Sequence, residues 1–314
     1  MKKRSTLKAL LGIEHSILLA PMFLISNTKM VIAALQCGCT AAIPAHNYRT
    51  DKELRAAIME IRKESSKPFG VNLIVNKSNP KYKNQLKCLL ELGVDFIITS
   101  LGNPKSVIEA CRKRKTKVFC DVIDLKYAQK VEALGADAVI AVNSNAGGHC
   151  GNMPANRLIL QLVQKINLPI ISAGGITNRQ EVKEVMEWGA AGVSVGSIFI
   201  ATHESCVSEE YKQAMIQYGK KDIVKSTKLT GSALTVINTP YVQRIGTKAS
   251  FLEYLIHHSP LLKKYAKMIM AWKGMQKVKK SAFKASYTNV WCAGPSIESV
   301  KSIRSVKEVI SDLL

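Results

Sequence analysis

The feature that most limits what this sequence can fold into is a regular alternation of short apolar runs with longer amphipathic stretches. Such alternation is typical of parallel β-sheets whose strands are joined by helices. The runs are almost uninterrupted by polar residues, which is the pattern of strands covered on both faces. Eight runs fit this description: residues 17–22, 39–43, 69–75, 95–99, 117–121, 137–142, 169–173 and 191–196.

Three similar phrases indicate that one structural unit is repeated. Residues 92–96, 134–138 and 188–192 stand before the fourth, sixth and eighth runs, and each contains a glycine suited to ending a helix. Between runs, residues 51–65 and 124–134 have helical spacing of apolar positions. Eight consecutive β/α units predict an α/β fold, the (β/α)8 or TIM barrel, with its active site at the carboxyl ends of the strands.

The domain organisation follows from length and from a change of pattern near residue 200. Length alone suggests about two domains, but α/β barrels commonly use some 250 residues as one. We expect residues 1–200 to form the barrel and residues 201–314 to form a basic, helical C-terminal extension packed on it. In that extension, residues 251–290 hold eight lysines against one acid and predict amphipathic helices, and residues 300–314 predict a closing helix.

The formal net charge of +22 admits a nucleic acid, a membrane surface or an acidic partner. The favoured interpretation is a lysine-rich composition that solvates helix faces, with no nucleic-acid or membrane partner. No apolar run approaches the roughly 18 residues of a membrane span. Lys8 and Glu14 interrupt the segment after the basic N-terminus, so we expect no signal peptide and a cytoplasmic protein. The eight cysteines include no C-x-x-C pair, and no metal site is expected.

Glycine pairs follow the last two predicted strands. Gly174 and Gly175 come after the seventh strand, and Gly196 with Ser197 comes after the eighth. Glycines let backbone N–H groups approach an anion closely, and a following helix N-terminus favours negative charge. Because barrels commonly bind phosphate at these two loops, the sequence predicts a phosphate site here.

A histidine after the sixth strand is the candidate catalytic residue. His149 follows Gly147 and Gly148 in the run Asn-Ala-Gly-Gly-His-Cys-Gly, at the rim where a flat ring could lie against exposed backbone. With an unperturbed pKa near 6.5, its imidazole could act as a base, an acid or a hydrogen-bond donor. Cys150 beside it is interpreted as incidental.

These motifs resemble those of the nitronate monooxygenases (formerly 2-nitropropane dioxygenases) and the similar FMN-dependent enoyl-carrier-protein reductases. The shared stretches are APM at 20–22, KPFGVN at 67–72, AGGHCG at 146–151, AGGI at 173–176, VGS at 195–197 and, as a variant, WCAGPS at 291–296.

The resemblance implies FMN at the barrel mouth, with His149 facing substrate. Its implied contacts are Ala20, Pro21 and Met22 behind the isoalloxazine, Asn72 at the polar edge, Gly147 and Gly148 along the ring, and Gly174, Gly175, Gly196 and Ser197 at the phosphate.

Three departures from the family pattern bear on substrate more than on flavin. The common Gln-Gly-x-Glu before the histidine motif is replaced at 142–145 by Val-Asn-Ser-Asn. The usual Gly-Thr after the eighth strand is Gly196-Ser197, which keeps the hydroxyl. The glycine-rich turn after the second strand is Ile-Pro-Ala-His at 43–46.

The reaction expected from the resemblance is oxidation of alkyl nitronates by FMN and O2 to carbonyl compounds and nitrite. The alternatives are reduction of an enoyl thioester by NAD(P)H, for which residues 251–290 would suit an acidic acyl carrier protein, and reduction of quinones. RNA-modifying flavin barrels are disfavoured because the chain lacks their Asn-x-Gly-Cys-Pro run. The sequence leaves open whether the protein is a homodimer.

Overall fold

The computed structural model describes residues 4–76, 79–228, 233–248 and 290–314. Eight parallel strands close into a barrel because β1 pairs with both β2 and β9, which confirms the predicted fold. Each predicted run overlaps one strand, and most strands begin or end one or more residues away from the predicted bounds. The barrel strands are β1 Ile17–Leu19, β2 Thr40–Pro44, β3 Gly70–Ile74, β4 Phe96–Ser100, β5 Lys117–Val122, β6 Ala138–Val142, β8 Ile170–Ala173 and β9 Gly192–Val195.

Helices connect these strands and begin and end at recognisable caps. Thr50 and Glu53 form a reciprocal capping box at the start of α3, and Gly135 ends α6 with a left-handed φ of 91°. The described helices are α1 Leu7–Leu11, α2 Thr28–Gln36, α3 Asp51–Glu64, α4 Tyr82–Glu91, α5 Lys105–Cys111, α6 Leu125–Leu134, α7 Ala155–Lys165, α8 Arg179–Glu187, α9 Glu209–Gln217, α10 Pro240–Ile245 and α11 Val306–Leu313.

The interior of the barrel is a packed core in which alternate strand residues point inward. Phe96 and Phe119 stack there with ring centroids 4.8 Å apart, among inward side chains from β1, β2, β6 and β8. Gly70 makes room for them, since a Cβ at that position would lie 2.1 Å from the Phe96 ring. The intervening strand residues pack outward under the helices. This alternation decides which side chains face the mouth.

The region after the barrel does more than cover it. Helix α11 packs against α2 and α8, the helices of the first and seventh units, and so completes the outer ring of helices. Residues 201–248 also contain β10 Ile223–Ser226 and β11 Leu234–Ile237, which form an antiparallel sheet with β7 Gly148–His149. The expectation of a helical extension did not include this sheet. The closing helix lies within the predicted 300–314 range and begins behind Ser305.

Most of the predicted basic helical region lies outside the described residues, which resume at Val290. Among the helices of the described ranges, none has the length and apolar character needed to cross a membrane.

Candidate active site at the barrel mouth

The two glycine loops after β8 and β9 lie side by side, because Ala173 of β8 pairs with Ser194 of β9. Gly174 and Gly175 have φ values of 113° and 86°, a backbone conformation that glycine adopts readily. Within the described ranges, the backbone N–H groups of Gly175, Ile176, Gly196 and Ser197 donate to no protein acceptor. Four unpaired donors on adjacent loops are suited to an anion such as phosphate.

The loop after β6 packs against this cradle with almost no free space. A Cβ on Gly174 would lie 2.5 Å from the backbone N of Ala146, and a Cβ on Gly147 would lie 2.6 Å from Ser197 Oγ. Asn143 holds the arrangement by donating from Nδ2 to the carbonyl of Gly174 at 2.8 Å. The predicted residues Gly147, Gly174 and Ser197 therefore belong to one cluster.

The stretch around residue 294 also lines this cluster. Gly294 donates its N–H to Ser197 Oγ at 2.9 Å, and a Cβ on Gly294 would lie 2.6 Å from the carbonyl oxygen of Asn145. Since Ser197 Oγ accepts from Gly294, its own hydroxyl hydrogen remains to be donated to a ligand. The C-terminal region thus supplies one wall of the cradle.

The segment after β1 forms the neighbouring wall. An added Cβ on Gly196 would lie 3.4 Å from Met22 Sδ and 3.6 Å from Ala20 Cβ. Buried Ser26 fixes this segment by accepting from the N–H of Met22 and donating to the carbonyl of Ala20, both at 2.9 Å. Ala20, Pro21 and Met22 are half-buried, so one side of the segment stays open to a ligand. Sequence reasoning did not identify Ser26.

The opposite side of the mouth carries three linked polar side chains. Asn72 on β3 donates from Nδ2 to Ser100 Oγ at 2.6 Å, and Ser100 on β4 donates to Asp121 Oδ2 on β5. Outward neighbours such as Val71 and Val122 pack under the helices, so these three side chains face inward. Asn72 was predicted as a site residue, whereas Ser100 and Asp121 were not.

Asp121 is the most perturbed carboxyl at the mouth. Burial raises its pKa to about 6, and the Ser100 hydrogen bond opposes that rise. The residue as a whole is half-buried, so it is not completely sealed from solvent. A charged residue inside a run of apolar strand residues is the signal that could have identified it.

His149 is held in place by the extension. It pairs with Leu234 of β11, and Gly148 pairs with Thr235. The Thr235 hydroxyl lies 2.7 Å from the carbonyl oxygen of Ala146 and 3.1 Å from that of Gly148, so both ends of the glycine pair are tied to β11. Gly148 has a φ of 74°, which turns the chain into this short strand.

The His149 imidazole is exposed, yet protein atoms surround it on several sides. That crowding lowers its pKa from the usual 6.5, because burial disfavours the charged form. Its ring nitrogens make no hydrogen bond to the described residues. A neutral imidazole two residues from the Gly147 cluster can accept a proton from a bound substrate or donate one to it.

His46 and Cys150 lie just after the strands β2 and β7, and burial shifts the pKa of each. Burial lowers the pKa of His46, which lies after β2 with its ring centroid 5.4 Å from that of Phe23. Burial raises the pKa of Cys150, so its thiol is held protonated. Among the described residues, no group of three His, Cys, Asp or Glu side chains could hold a metal ion.

These features fit a phosphate-bearing cofactor with a flat ring. The cradle offers unpaired N–H groups and a free hydroxyl hydrogen, and Gly147 and Gly174 let the loops around it pack more closely than a Cβ would allow. Asn72 on β3 lies four strands round the barrel from Gly174 and Gly175 after β8, where a ring extending across the mouth from the phosphate would meet it.

The chain has extensive similarity to known flavoenzymes. The family model described as nitronate monooxygenase matches residues 4–314. A probable nitronate monooxygenase of Staphylococcus saprophyticus is 26% identical over 290 residues, covering 78% of this chain and 81% of that protein. A (3aS,4S,5R,7aS)-5-hydroxy-7a-methyl-1-oxo-octahydro-1H-indene-4-carboxyl-CoA dehydrogenase of Mycobacterium tuberculosis is 27% identical over 280 residues, covering 88% of this chain and 78% of the relative.

The structure of FabK from Thermotoga maritima superimposes with a TM-score of 0.86 at 28% identity, covering 99% of this chain and 94% of that one. The family match spans the barrel, the cradle and the described parts of the extension alike. The chain therefore belongs to the nitronate monooxygenase family and is a flavin-dependent oxidoreductase.

Proposed function

We propose that the protein binds FMN and oxidises alkyl nitronates with O2. The observation that supports this proposal is that an anion cradle and an unpaired, neutral histidine, His149, lie at the same barrel mouth. Two nitronate ions and one O2 give two carbonyl compounds and two nitrite ions, which accounts for both oxygen atoms. When bound, the flavin would supply the electron transfer that a protein side chain cannot.

The cradle supports FMN over a dinucleotide. Gly175, Gly196 and Ser197 offer donors for one phosphate, and the chain has no Gly-x-Gly-x-x-Gly fingerprint of the kind that binds a pyrophosphate. In this arrangement Ala20, Pro21 and Met22 would lie behind the ring and Asn72 at its polar edge. Gly147 and Gly148 would lie along the ring.

His149 would act on the organic substrate rather than hold the cofactor. For a nitronate anion, the imidazole N–H would donate a hydrogen bond to a nitro oxygen. For a neutral nitroalkane, the unprotonated nitrogen would remove the α-proton, since its lowered pKa keeps it unprotonated at neutral pH. Its short strand fixes the ring relative to the cradle through Thr235.

A second candidate is reduction of an enoyl thioester by NAD(P)H, with one hydride and one proton added across the double bond. The observation in its favour is an apolar rim next to Asp121. Leu101 directly after β4 and Ile123 directly after β5 are 46% and 48% exposed, and apolar side chains at this rim would suit an acyl chain. The carboxyl-CoA in the name of the Mycobacterium relative is also a thioester.

The deciding experiment follows bleaching of the bound flavin without oxygen. Purified protein should be yellow and release FMN on denaturation. Mixing with an alkyl nitronate should then bleach the flavin at a saturable rate, and admitting O2 should restore the colour and yield nitrite.

Separate mixing with NADH and NADPH tests the second candidate. Bleaching by a pyridine nucleotide but not by a nitronate would replace the nitronate proposal with the enoyl thioester one. Release of FAD, or failure to bind any flavin, would overturn the cofactor assignment itself.

A further inference from the structure

The mouth of the barrel has a polar half and an apolar half. Asn72, Ser100 and Asp121 come from three neighbouring strands and face inward. On the other five strands, the inward positions at the mouth carry no polar side-chain group: Ala20, Pro44, Val142, Ala173 and Gly196. A flat ring lying across this mouth would therefore meet its polar side-chain partners on β3, β4 and β5.

The three polar groups have a defined direction of hydrogen bonding. Ser100 Oγ accepts from Asn72 Nδ2, so its single hydrogen is free to point at Asp121 Oδ2. Asn72 Nδ2 also donates to the carbonyl oxygen of Ile98 at 3.2 Å, which fixes the amide orientation. The other carboxyl oxygen of Asp121 has no hydrogen-bond partner among the described residues. It is therefore available to a ligand or to a proton.

The polar half of the mouth is set apart from the proposed phosphate site around the barrel. In the closed strand order, β3 is four strands from β8 and β4 is four strands from β9, while Asp121 on β5 is two strands from β8 and three from β9. A cofactor with its phosphate at Gly175 and Ser197 would extend its ring toward the polar half. This reasoning rests on the FMN proposal above.

We propose that Asp121 takes up one proton from water when the bound flavin accepts two electrons, and that Ser100 orients its carboxyl for this role. An O–H bond forms on the carboxylate, and the electrons come from the substrate or from an added reductant. The negative charge brought by the electrons makes an adjacent carboxylate unfavourable, and the proton removes that repulsion.

The surroundings of Asp121 leave it free to change charge. Its pKa of about 6 lies close to neutral pH because burial raises it, and no cation among the described residues contributes to the shift. Strand β6 carries no ionisable side chain. On β5 itself, the thiol of Cys120 is outward and neutral, with a pKa raised by burial to about 12.

Ionisable groups on the flanking helices do not compensate the Asp121 charge. On α6, Tyr127 is uncharged at neutral pH, with its pKa raised chiefly by burial and also by Asp121. On α5, Lys105 and Glu109 pair with each other at 3.8 Å, more than half exposed on the outer surface. At the mouth, His149 is neutral at pH 7 and above.

The test measures the midpoint potential of the bound flavin by spectroelectrochemistry from about pH 5 to 9, a range that brackets the Asp121 pKa of about 6 and the ordinary histidine pKa of about 6.5. The variants are Asp121→Asn, Ser100→Ala and, as a matched control, Asp124→Asn. Asp124 is three residues further on and caps α6, a role that asparagine also performs. The control therefore removes one carboxylate at the same rim without touching the inward cluster.

Below pH 6, wild type and Asp121→Asn should have similar potentials, because the carboxyl is protonated before and after reduction. Above pH 6, reduction of the wild type takes up one proton more than reduction of Asp121→Asn. The wild-type potential should therefore fall more steeply, by about 30 mV more per pH unit, which is a tenfold change in equilibrium constant for a two-electron couple. Asp124→Asn should parallel wild type. Ser100→Ala removes the hydrogen bond that lowers the Asp121 pKa, so its steeper region should begin at higher pH.

Parallel profiles for wild type and flavin-loaded Asp121→Asn would overturn the inference while leaving the proposed function intact. A wild-type protein without flavin would instead defeat the proposed function. If Asp121→Asn fails to fold or to bind flavin, infrared difference spectra of the wild type on reduction decide the matter. A new carbonyl band from a protonated carboxyl that shifts in D2O supports the inference, and absence of that band overturns it.

Discussion

Replacement of Gly174 by alanine tests the tightest contact in the site. The residue has a φ of 113°, and a left-handed conformation costs an L-residue roughly 1–2 kcal/mol. The new Cβ would lie 2.5 Å from Ala146 N and 2.6 Å from Asn143 Oδ1, well inside ordinary contact distances. Overpacking of this kind typically costs about 1–3 kcal/mol. The expected loss in free energy of unfolding is therefore roughly 2–5 kcal/mol.

Gly135→Ala is the matched control for backbone strain. Gly135 has a φ of 91°, and a Cβ there would meet only Ile108 Cγ2 at 3.9 Å, an ordinary contact. Its loss should thus be about 1–2 kcal/mol, from conformation alone. Urea unfolding of the flavin-free proteins measures both losses, provided the slopes agree.

The two variants should also differ in flavin binding. Gly174→Ala must displace the loop that carries Ala146 and Gly147, so FMN affinity should fall with stability. Gly135 ends helix α6 and takes no part in the cradle, so Gly135→Ala should leave FMN affinity unchanged. Equal destabilisation by the two substitutions, with FMN bound equally well, would show that the close approach at Gly174 does not exist in solution.

Three further predictions concern the cradle and the histidine. Gly175→Asp would place a carboxylate beside the unpaired N–H groups, so the FMN affinity measured by fluorescence quenching should drop sharply. An unchanged FMN affinity would mean that the phosphate binds elsewhere. His149→Ala should retain flavin, but its turnover with a neutral nitroalkane should fall by a factor of roughly 10²–10⁴. In the wild type, turnover with the nitroalkane should decline as the pH falls through the His149 pKa, which lies below 6.5, because the protonated ring cannot accept a proton. Thr235→Val removes the hydroxyl next to the carbonyls of Ala146 and Gly148 and should cost about 1 kcal/mol of stability. It should also lower kcat with flavin retained, and wild-type kinetics in Thr235→Val would remove β11 from the positioning of His149.

The barrel could be predicted because its signals are local. Each strand is a short apolar run, and glycines such as Gly135 end helices by conformational preferences that depend on immediate neighbours. Gly174, Gly175 and Ser197 were identifiable for the same reason, since their place after the last two strands follows from counting. The resemblance to the family supplied the expectation of an FMN cofactor and of a catalytic role for His149, both of which stay predictions.

Features that depend on distant pairing could not be predicted in the same way. Strand β7 consists of two residues, Gly148 and His149, and it exists only because β11 lies beside it. No periodicity is visible in so short a segment. Ser100 and Asp121 were missed for a different reason, because they end apolar runs and become a pair only when two strands align in register. Phe119 and Asp121 are two residues apart on β5 and therefore point to the same face. Since Phe119 packs inside the barrel, the spacing alone could have placed the Asp121 carboxyl inside.

The contact between Gly294 and Ser197 has a consequence for how the protein is made. The ribosome synthesises Gly294 and helix α11 roughly a hundred residues after β9. At about 5–20 residues per second, this is a delay of several seconds or more. During that interval the nascent barrel has all eight strands but lacks part of its cradle and its last covering helix. On the proposed binding at the cradle, cofactor capture comes late in biogenesis, and ribosomal stalling between β9 and Gly294 would leave a barrel with an incomplete cradle for chaperones to hold.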